Sequence, residues 1–209
     1  MLDLLFPTTC VLCGHNGPPL CIECLSGLPP APDLAPPPGF DAFGALLSYE
    51  GETRRLIAAI KFQGHSDAIE LPARVLAELV EVAPDVVTWA PTSRQRQRQR
   101  GYDQAELIAR TVSQSLGCQC LPTLQRNATS GDSTGDHQTG RSRRERLAGA
   151  SFAFGGSGVG TRGVDPHRLG SVLVVDDIRT TGATLSAAGD TLLEAGATSV
   201  SGLTLAVTL

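Results

Sequence analysis

Two adjacent carboxylates at the end of an apolar run, followed at once by hydroxyls and a glycine, mark the part of this chain best equipped for chemistry. The stretch is Val172-Leu173-Val174-Val175-Asp176-Asp177-Ile178-Arg179-Thr180-Thr181-Gly182-Ala183-Thr184. Four consecutive aliphatic residues fit a strand buried on both faces of a parallel sheet. Such a strand delivers Asp176 and Asp177 to the C-terminal edge of the sheet, where open α/β folds bind ligands. The turn beyond it can aim backbone N–H groups, the Thr180, Thr181 and Thr184 hydroxyls and a helix N-terminus at one phosphate. Gly182 allows close backbone approach there. The carboxylates can accept hydrogen bonds from sugar hydroxyls and help hold a divalent metal. An ordinary capped turn accounts for a lone Thr-Gly pair, but not for this whole order of residues.

A second candidate cluster is basic. Arg94, Arg96, Arg98 and Arg100 fall in segment 92–101, read as a loop following the strand signal Val86-Val87-Thr88-Trp89-Ala90. Guanidinium groups there can neutralise a polyanion at the same sheet edge. A solvated surface run is the plain alternative for any single arginine; position favours Arg100 and Gly101. Lys61, the only lysine in the chain, is a weaker candidate.

Cys10, Cys13, Cys21 and Cys24 form two Cys-x-x-Cys pairs separated by seven residues that include Gly14, Gly17 and two prolines. Each pair can grip one tetrahedral metal, and the connection can turn back to close the site. Where thiols stay reduced, structural zinc is favoured over two disulfides. A segment this short has little core of its own, so metal would supply much of its folding energy. Cys118 and Cys120 alternate at a strand start and read as core or edge residues.

The elements that must position these groups alternate. Strand signals fall at Phe43–Tyr49, 86–90, 119–124, 172–175 and 199–207. Helical patterns fall at 52–62 (Leu56, Ile57, Ile60), 70–82 (Leu71, Val75, Leu79, Val82) and 183–195 (Leu185, Ala188, Leu192, Leu193). The best marked helix starts at Asp103 with Glu106 three residues on, carries Ala105, Ile108, Ala109, Val112 and Leu116, and stops at Gly117. Alternation of strand and helix implies an α/β parallel sheet. Residues 27–39 hold six prolines and read as a stiff linker or meandering loop, and 126–146, without leucine, as a mobile loop. The expected division is a zinc module at 1–30, a Pro-rich linker at 31–42 and an α/β domain at 43–209.

Composition narrows the class. The chain has 209 residues, 41% hydrophobic and 4% aromatic, and a net charge of −4, which argues against a protein built chiefly to coat nucleic acid. Eight of 17 basic residues sit in the runs 94–100 and 141–146, and residues 1–30 hold none, which disfavours the cysteine module as a DNA clamp. No apolar run approaches the ~18 residues that span a bilayer. The first seven residues lack the pattern of a signal peptide, so a cytoplasmic location is expected.

The 172–184 stretch resembles the signature of type I phosphoribosyltransferases, which bind 5-phosphoribosyl 1-pyrophosphate (PRPP). Ala90-Pro91-Thr92-Ser93, Arg98-Gln99-Arg100-Gly101-Tyr102-Asp103-Gln104-Ala105, Leu107 and Ala109 are similar to the corresponding region of ComF-family proteins. The cysteine pairs, Ile60-Lys61-Phe62-Gln63-Gly64, Gln138, Arg144 and Phe152 extend the likeness over nearly the whole chain. Asp103 and Leu147 depart from the family's usual Asn, and the region before Gln138 lacks its usual arginine-threonine spacing. The resemblance implies a type I phosphoribosyltransferase-like sheet flanked by helices. It implies that Asp176 and Asp177 contact the ribose hydroxyls and that Thr180, Thr181, Gly182, Ala183 and Thr184 hold the 5-phosphate. Thr92, Ser93, Arg100 and Gly101 would then face pyrophosphate. The expected activity is magnesium-dependent phosphoribosyl transfer to an acceptor base that the sequence does not name. The alternatives are PRPP sensing without turnover, and single-stranded DNA binding connected with competence.

Overall fold

A computed structural model describes residues 8–127, 150–155 and 169–208 of the chain. Five parallel strands form the central sheet: β1 (Ala42–Ser48), β2 (Val86–Trp89), β3 (Gln119–Cys120), β6 (Ser171–Arg179) and β7 (Ser199–Val207), in the order β1-β7-β6-β2-β3. β4 (Leu124–Arg126) and β5 (Phe152–Phe154) pair antiparallel beside it. The expected α/β sheet flanked by helices is the architecture observed.

The aliphatic run does what its composition dictates. Leu173 and Val175 enter one core cluster, Val172 and Val174 the other, so β6 is buried on both faces. On the first face lie α2 (Gly51–Phe62), α3 (Glu70–Ala77) and α5 (Gln104–Leu116), contributing Leu56, Ile60, Leu76, Ile108 and Val112. The second face is covered by α6 (Ala183–Glu194), through Leu185, Ala188 and Leu192, and by Leu124 and Phe152 of the hairpin. α5 runs between Asp103, whose carboxylate accepts from Ala105 N–H at 3.1 Å, and Gly117 at φ +68°, as its caps require.

Four expectations need correction. Segment 92–101 is not a loop: Arg94–Arg100 is a short helix, α4. Ser93 Oγ accepts from Arg96 N–H at 3.3 Å, and Gly101, at φ +83°, closes the helix. Alternating Arg and Gln favour helix but carry no apolar stripe, so periodicity could not reveal it. The strand at 119–124 divides, because Pro122 has no N–H to continue the ladder. The helix at 70–82 ends by 78, and it buries Ala73, Leu76 and Ala77 while Leu79 and Val82 stay exposed. Leu193, expected inward, is exposed.

The proline-rich segment lies along the sheet. Pro30 bridges Leu47, Ala31 N–H donates to the Leu46 carbonyl at 3.0 Å, and Ser48 N–H donates to Pro29 at 2.9 Å. These bonds cover part of the free edge of β1, which would otherwise offer itself for pairing. The expected loop at 126–146 lies outside the described residues from 128 onward, and with it Gln138, Arg141, Arg143, Arg144, Arg146 and Leu147. Among the described residues, no helix is long and apolar enough to cross a membrane.

Candidate functional site

β2 and β6 are neighbours whose following connections diverge. After β2 the chain passes through α4 and α5 outward to β3; after β6 it passes through α6 to β7 on the other side. The C-terminal ends of β2 and β6 therefore bound a topological switch point, the place where open parallel sheets leave a crevice. Trp89 is the last residue of β2 in register with β6, opposite Val175. β6 continues through Asp176 to Arg179, held on its other side by β7, with Asp176 opposite Thr204 and Ile178 opposite Ala206. The acidic pair thus belongs to the strand itself, on the stretch that β2 no longer covers. The sequence suggested a shorter strand because aliphatic residues end at Val175, whereas pairing with the nine-residue β7 carries the ladder further.

Asp176 and Asp177 are both partly buried. Burial, then the neighbouring Asp177 carboxylate, push Asp176 well above the usual carboxylate range. The Asp177 N–H, donating to Asp176 Oδ1 at 2.8 Å, and the Lys61 charge oppose that rise. Lys61 of α2 forms an ion pair with Asp177. Its side chain is only 14% exposed, so the lone lysine is held against the acidic pair and is not a solvated surface residue. Sequence reasoning ranked it low because nothing in the 52–62 pattern says that the C-terminal end of this helix reaches β6.

Asp103 was read only as a helix cap, and it does more. Its Oδ2 accepts from Thr92 N–H at 2.8 Å while its Oδ1 accepts from Ala105 N–H, so one carboxylate ties the exit of β2 to the start of α5. It is 4% exposed, and burial raises its pKa, the nearby Asp177 adding to the rise. That double acceptance fixes Thr92 and Ser93 at the crevice. It also gives a reason for an acid here: a carboxylate oxygen can only accept, as both contacts require.

Of the four arginines in α4, Arg100 stands apart. Arg94, Arg96 and Arg98 are exposed, whereas Arg100 is half-buried, donates to Gln104 Oε1 at 2.7 Å and lies over the Phe62 ring at 5.2 Å. Gln104 itself is 2% exposed. Thr180 and Thr181 are exposed in the turn after β6, and Gly182, at φ +80°, caps α6. Ala183 N–H donates to Thr181 Oγ1 at 3.4 Å. The amides of Thr184 and Leu185 have no acceptor four residues back within the helix and lie at its positive end.

The second candidate site is the cysteine cluster. Cys10 and Cys13 lie on a turn fastened by Gly14 N–H to the Cys10 carbonyl and Cys10 N–H to the His15 carbonyl, both at 2.9 Å. Cys21 precedes α1 (Ile22–Ser26), which carries Cys24. All four sulfurs lie within 4.8 Å of one another, and Cys13 and Cys21 are 3.8 Å apart. A tetrahedron with metal–sulfur bonds of about 2.3 Å has edges of about 3.8 Å, so the cluster can hold a zinc ion. Burial pushes the Cys10 thiol up, but the N–H groups of Cys13, Cys21 and Leu12 outweigh it and bring its pKa down to about 6. Donors facing a sulfur in this way favour the thiolate that a metal needs. Burial raises the pKa of both Cys118 and Cys120, and neither joins the cluster.

No protein-family model matches the chain. Among curated proteins it is similar to DNA utilization protein YhgH of Salmonella typhimurium, 27% identical over 200 residues, covering 87% of this chain and 81% of that protein. It is also similar to competence protein ComFC of Bacillus subtilis, 27% identical over 166 residues, covering 77% of this chain and 62% of ComFC. These homologues bear out the resemblance to ComF proteins carried by the motifs. Among solved structures it is similar to the allosteric regulatory enzyme of purine biosynthesis, at 24% identity and a TM-score of 0.45 over 67% of this chain. Glutamine PRPP amidotransferase from B. subtilis gives 24% and 0.44 over 66%. In both cases the chain spans about a quarter (26%) of the enzyme's length.

Proposed function

We propose that this ComF-like chain binds PRPP at the β2–β6 crevice and transfers its phosphoribosyl group to a nucleophile, with a structural zinc in the four-cysteine module. The observation that carries the reading is the convergence at one switch point of an acidic pair, a glycine-capped Thr-Thr-Gly-x-Thr turn at a helix N-terminus, and the end of β2. In this reading Asp176 and Asp177 accept from the ribose hydroxyls. The turn from Thr180 to Thr184 cradles the 5-phosphate with N–H groups and hydroxyls, and its helix dipole favours the negative charge. Thr92, Ser93, Arg100 and Gly101 face the pyrophosphate. Magnesium fits the donor set, because Asp176 and Asp177 offer hard oxygens, directly or through water, and it would neutralise pyrophosphate charge.

The reaction asks little covalent help of the protein. The C1–O bond to pyrophosphate breaks with its electron pair leaving on oxygen, the acceptor's lone pair forms the new bond at C1, and the acceptor's proton passes to the departing pyrophosphate or to water. Positioning the partners and stabilising the departing charge are the protein's tasks. Lys61 holds Asp177 in the meantime, keeping an otherwise repelling acidic pair compact.

The alternative is a PRPP sensor or single-strand binder, suggested by the names of the DNA-utilization and competence relatives. Arg100→Ala separates the two. A leaving-group contact in a closed site is worth about 3 kcal/mol, so pyrophosphate release across a panel of bases is expected to fall roughly 100-fold. Affinity for single-stranded DNA, spread over many phosphates, is expected to change only a few-fold. Absence of release with every base, alongside tight, salt-sensitive DNA binding that needs the 94–100 run, would move the assignment to the binder.

A further inference from the structure

Phe62 is given no function in the reading above, and its surroundings are unusual. It is 74% exposed, although a phenylalanine is among the side chains that gain most from burial. It closes α2 one residue after Lys61, whose ammonium pairs with Asp177 in the crevice. The Arg100 guanidinium lies over its ring at 5.2 Å and is itself held by the buried Gln104 at 2.7 Å. Tyr102 donates its hydroxyl to the Ile60 carbonyl, fastening the last turn of α2 to the segment after α4. Its neighbour in the chain, Lys61, pairs with Asp177, and the Arg100 over its ring is held by Gln104, the residue after Asp103, so the ring lies near the crevice. Most of the ring faces solvent, and the guanidinium over it is held in place by Gln104.

We propose that Phe62, backed by Arg100, is the platform on which the acceptor's heteroaromatic ring stacks. This deepens the phosphoribosyl reading and rests on it. A flat apolar ring with a cation behind it favours planar, polarisable ligands, and it is tolerant of their edge chemistry, since every base presents a π-face. Phe62 is thus a positioning residue: it holds the acceptor plane beside the ribose and leaves the choice among bases to other groups.

The test compares ribose 5-phosphate with adenosine 5′-monophosphate, two probes that share the sugar phosphate and differ by the ring. Binding to the full-length, zinc-loaded chain is measured by calorimetry. The nucleotide is expected to bind about 10-fold more tightly than the sugar phosphate. In Phe62→Ala that ratio is expected to fall to within about 2-fold, with ribose 5-phosphate affinity and melting temperature unchanged because the side chain is exposed. Phe62→Trp is expected to restore the ratio and to give fluorescence quenched by the nucleotide only, the other tryptophan, Trp89, being 8% exposed. A ratio unaltered in Phe62→Ala overturns the stacking role and leaves the phosphate site standing. Binding of neither probe overturns both. Weakened binding of a thymidine oligonucleotide in Phe62→Ala, with the mononucleotide ratio intact, assigns the ring to a nucleic-acid strand and also overturns the proposal.

Discussion

Removing zinc with a chelator, or changing Cys10 and Cys13 together to serine, is expected to destabilise the whole chain and not merely a detached appendage. Cys10, Leu20, Leu25 and Leu28 are each 6% exposed or less and belong to the same core cluster as Leu56, Ile69 and Leu76. A five-residue helix and a tight turn cannot hold those leucines in place alone, and a metal bound by the four cysteines would supply the missing free energy. Each leucine returned to water costs about 1.5–3 kcal/mol. Loss of even one such burial corresponds to a melting shift of roughly 3–12 °C in a chain of this size. Metal analysis should find about one zinc per chain in the wild type and none in the double variant. Stoichiometric zinc in that variant, or an unchanged melting temperature after chelation, would remove the structural role.

The second large effect has a sign that depends on ligand. Asp176 has a folded-state pKa raised above its unfolded value, by burial first and by Asp177 second. A raised carboxylate contributes stability that is complete below the unfolded pKa of about 3.9 and is lost as pH rises through the folded value. At neutral pH, where the unfolded chain ionises this carboxyl freely, the acid is therefore a net cost to the folded state. Asp176→Asn keeps an oxygen to accept from Asp177 N–H and discards the charge. It is expected to stabilise the ligand-free protein at pH 7 by about 1 kcal/mol, or about 2–4 °C, with the gain shrinking as pH falls toward 4. With PRPP and magnesium the order should reverse. At 100 times its dissociation constant a ligand adds about 2.7 kcal/mol to the wild type, and the variant should forgo most of it. A variant less stable than wild type at pH 7 without ligand, or equally stabilised with it, contradicts this account of Asp176.

Much of this was legible in the sequence, and the parts that were not share a cause. The strands of the central sheet and α5 could be read, though the hairpin strand at Phe152–Phe154 could not, because burial imposes a period and caps impose residue types: four aliphatics for β6, Asp103 and Gly117 for the ends of α5. The four-cysteine cluster was legible because ligand spacing is a local matter. What escaped was long-range or unpatterned. α4 has no apolar stripe to betray it, the extension of β6 to Arg179 is decided by its partner β7, and the Lys61–Asp177 pair joins residues far apart in the chain. The 70–82 pattern misled because two apolar stripes compete there, and Leu79 and Val82 lie beyond the end of the helix.

Titration of PRPP with magnesium into the zinc-loaded chain, followed by heat of binding, tests the central claim most directly when repeated with Asp176→Asn combined with Asp177→Asn. A single site per chain is expected in the wild type, with affinity lowered at least about 10-fold in the double variant, since the hydrogen bonds of two charged acceptors to the ribose hydroxyls are each worth about 1.5–3 kcal/mol. No heat in the wild type, or equal affinity in both proteins, would show that the acidic pair at the end of β6 does not read a phosphoribosyl group.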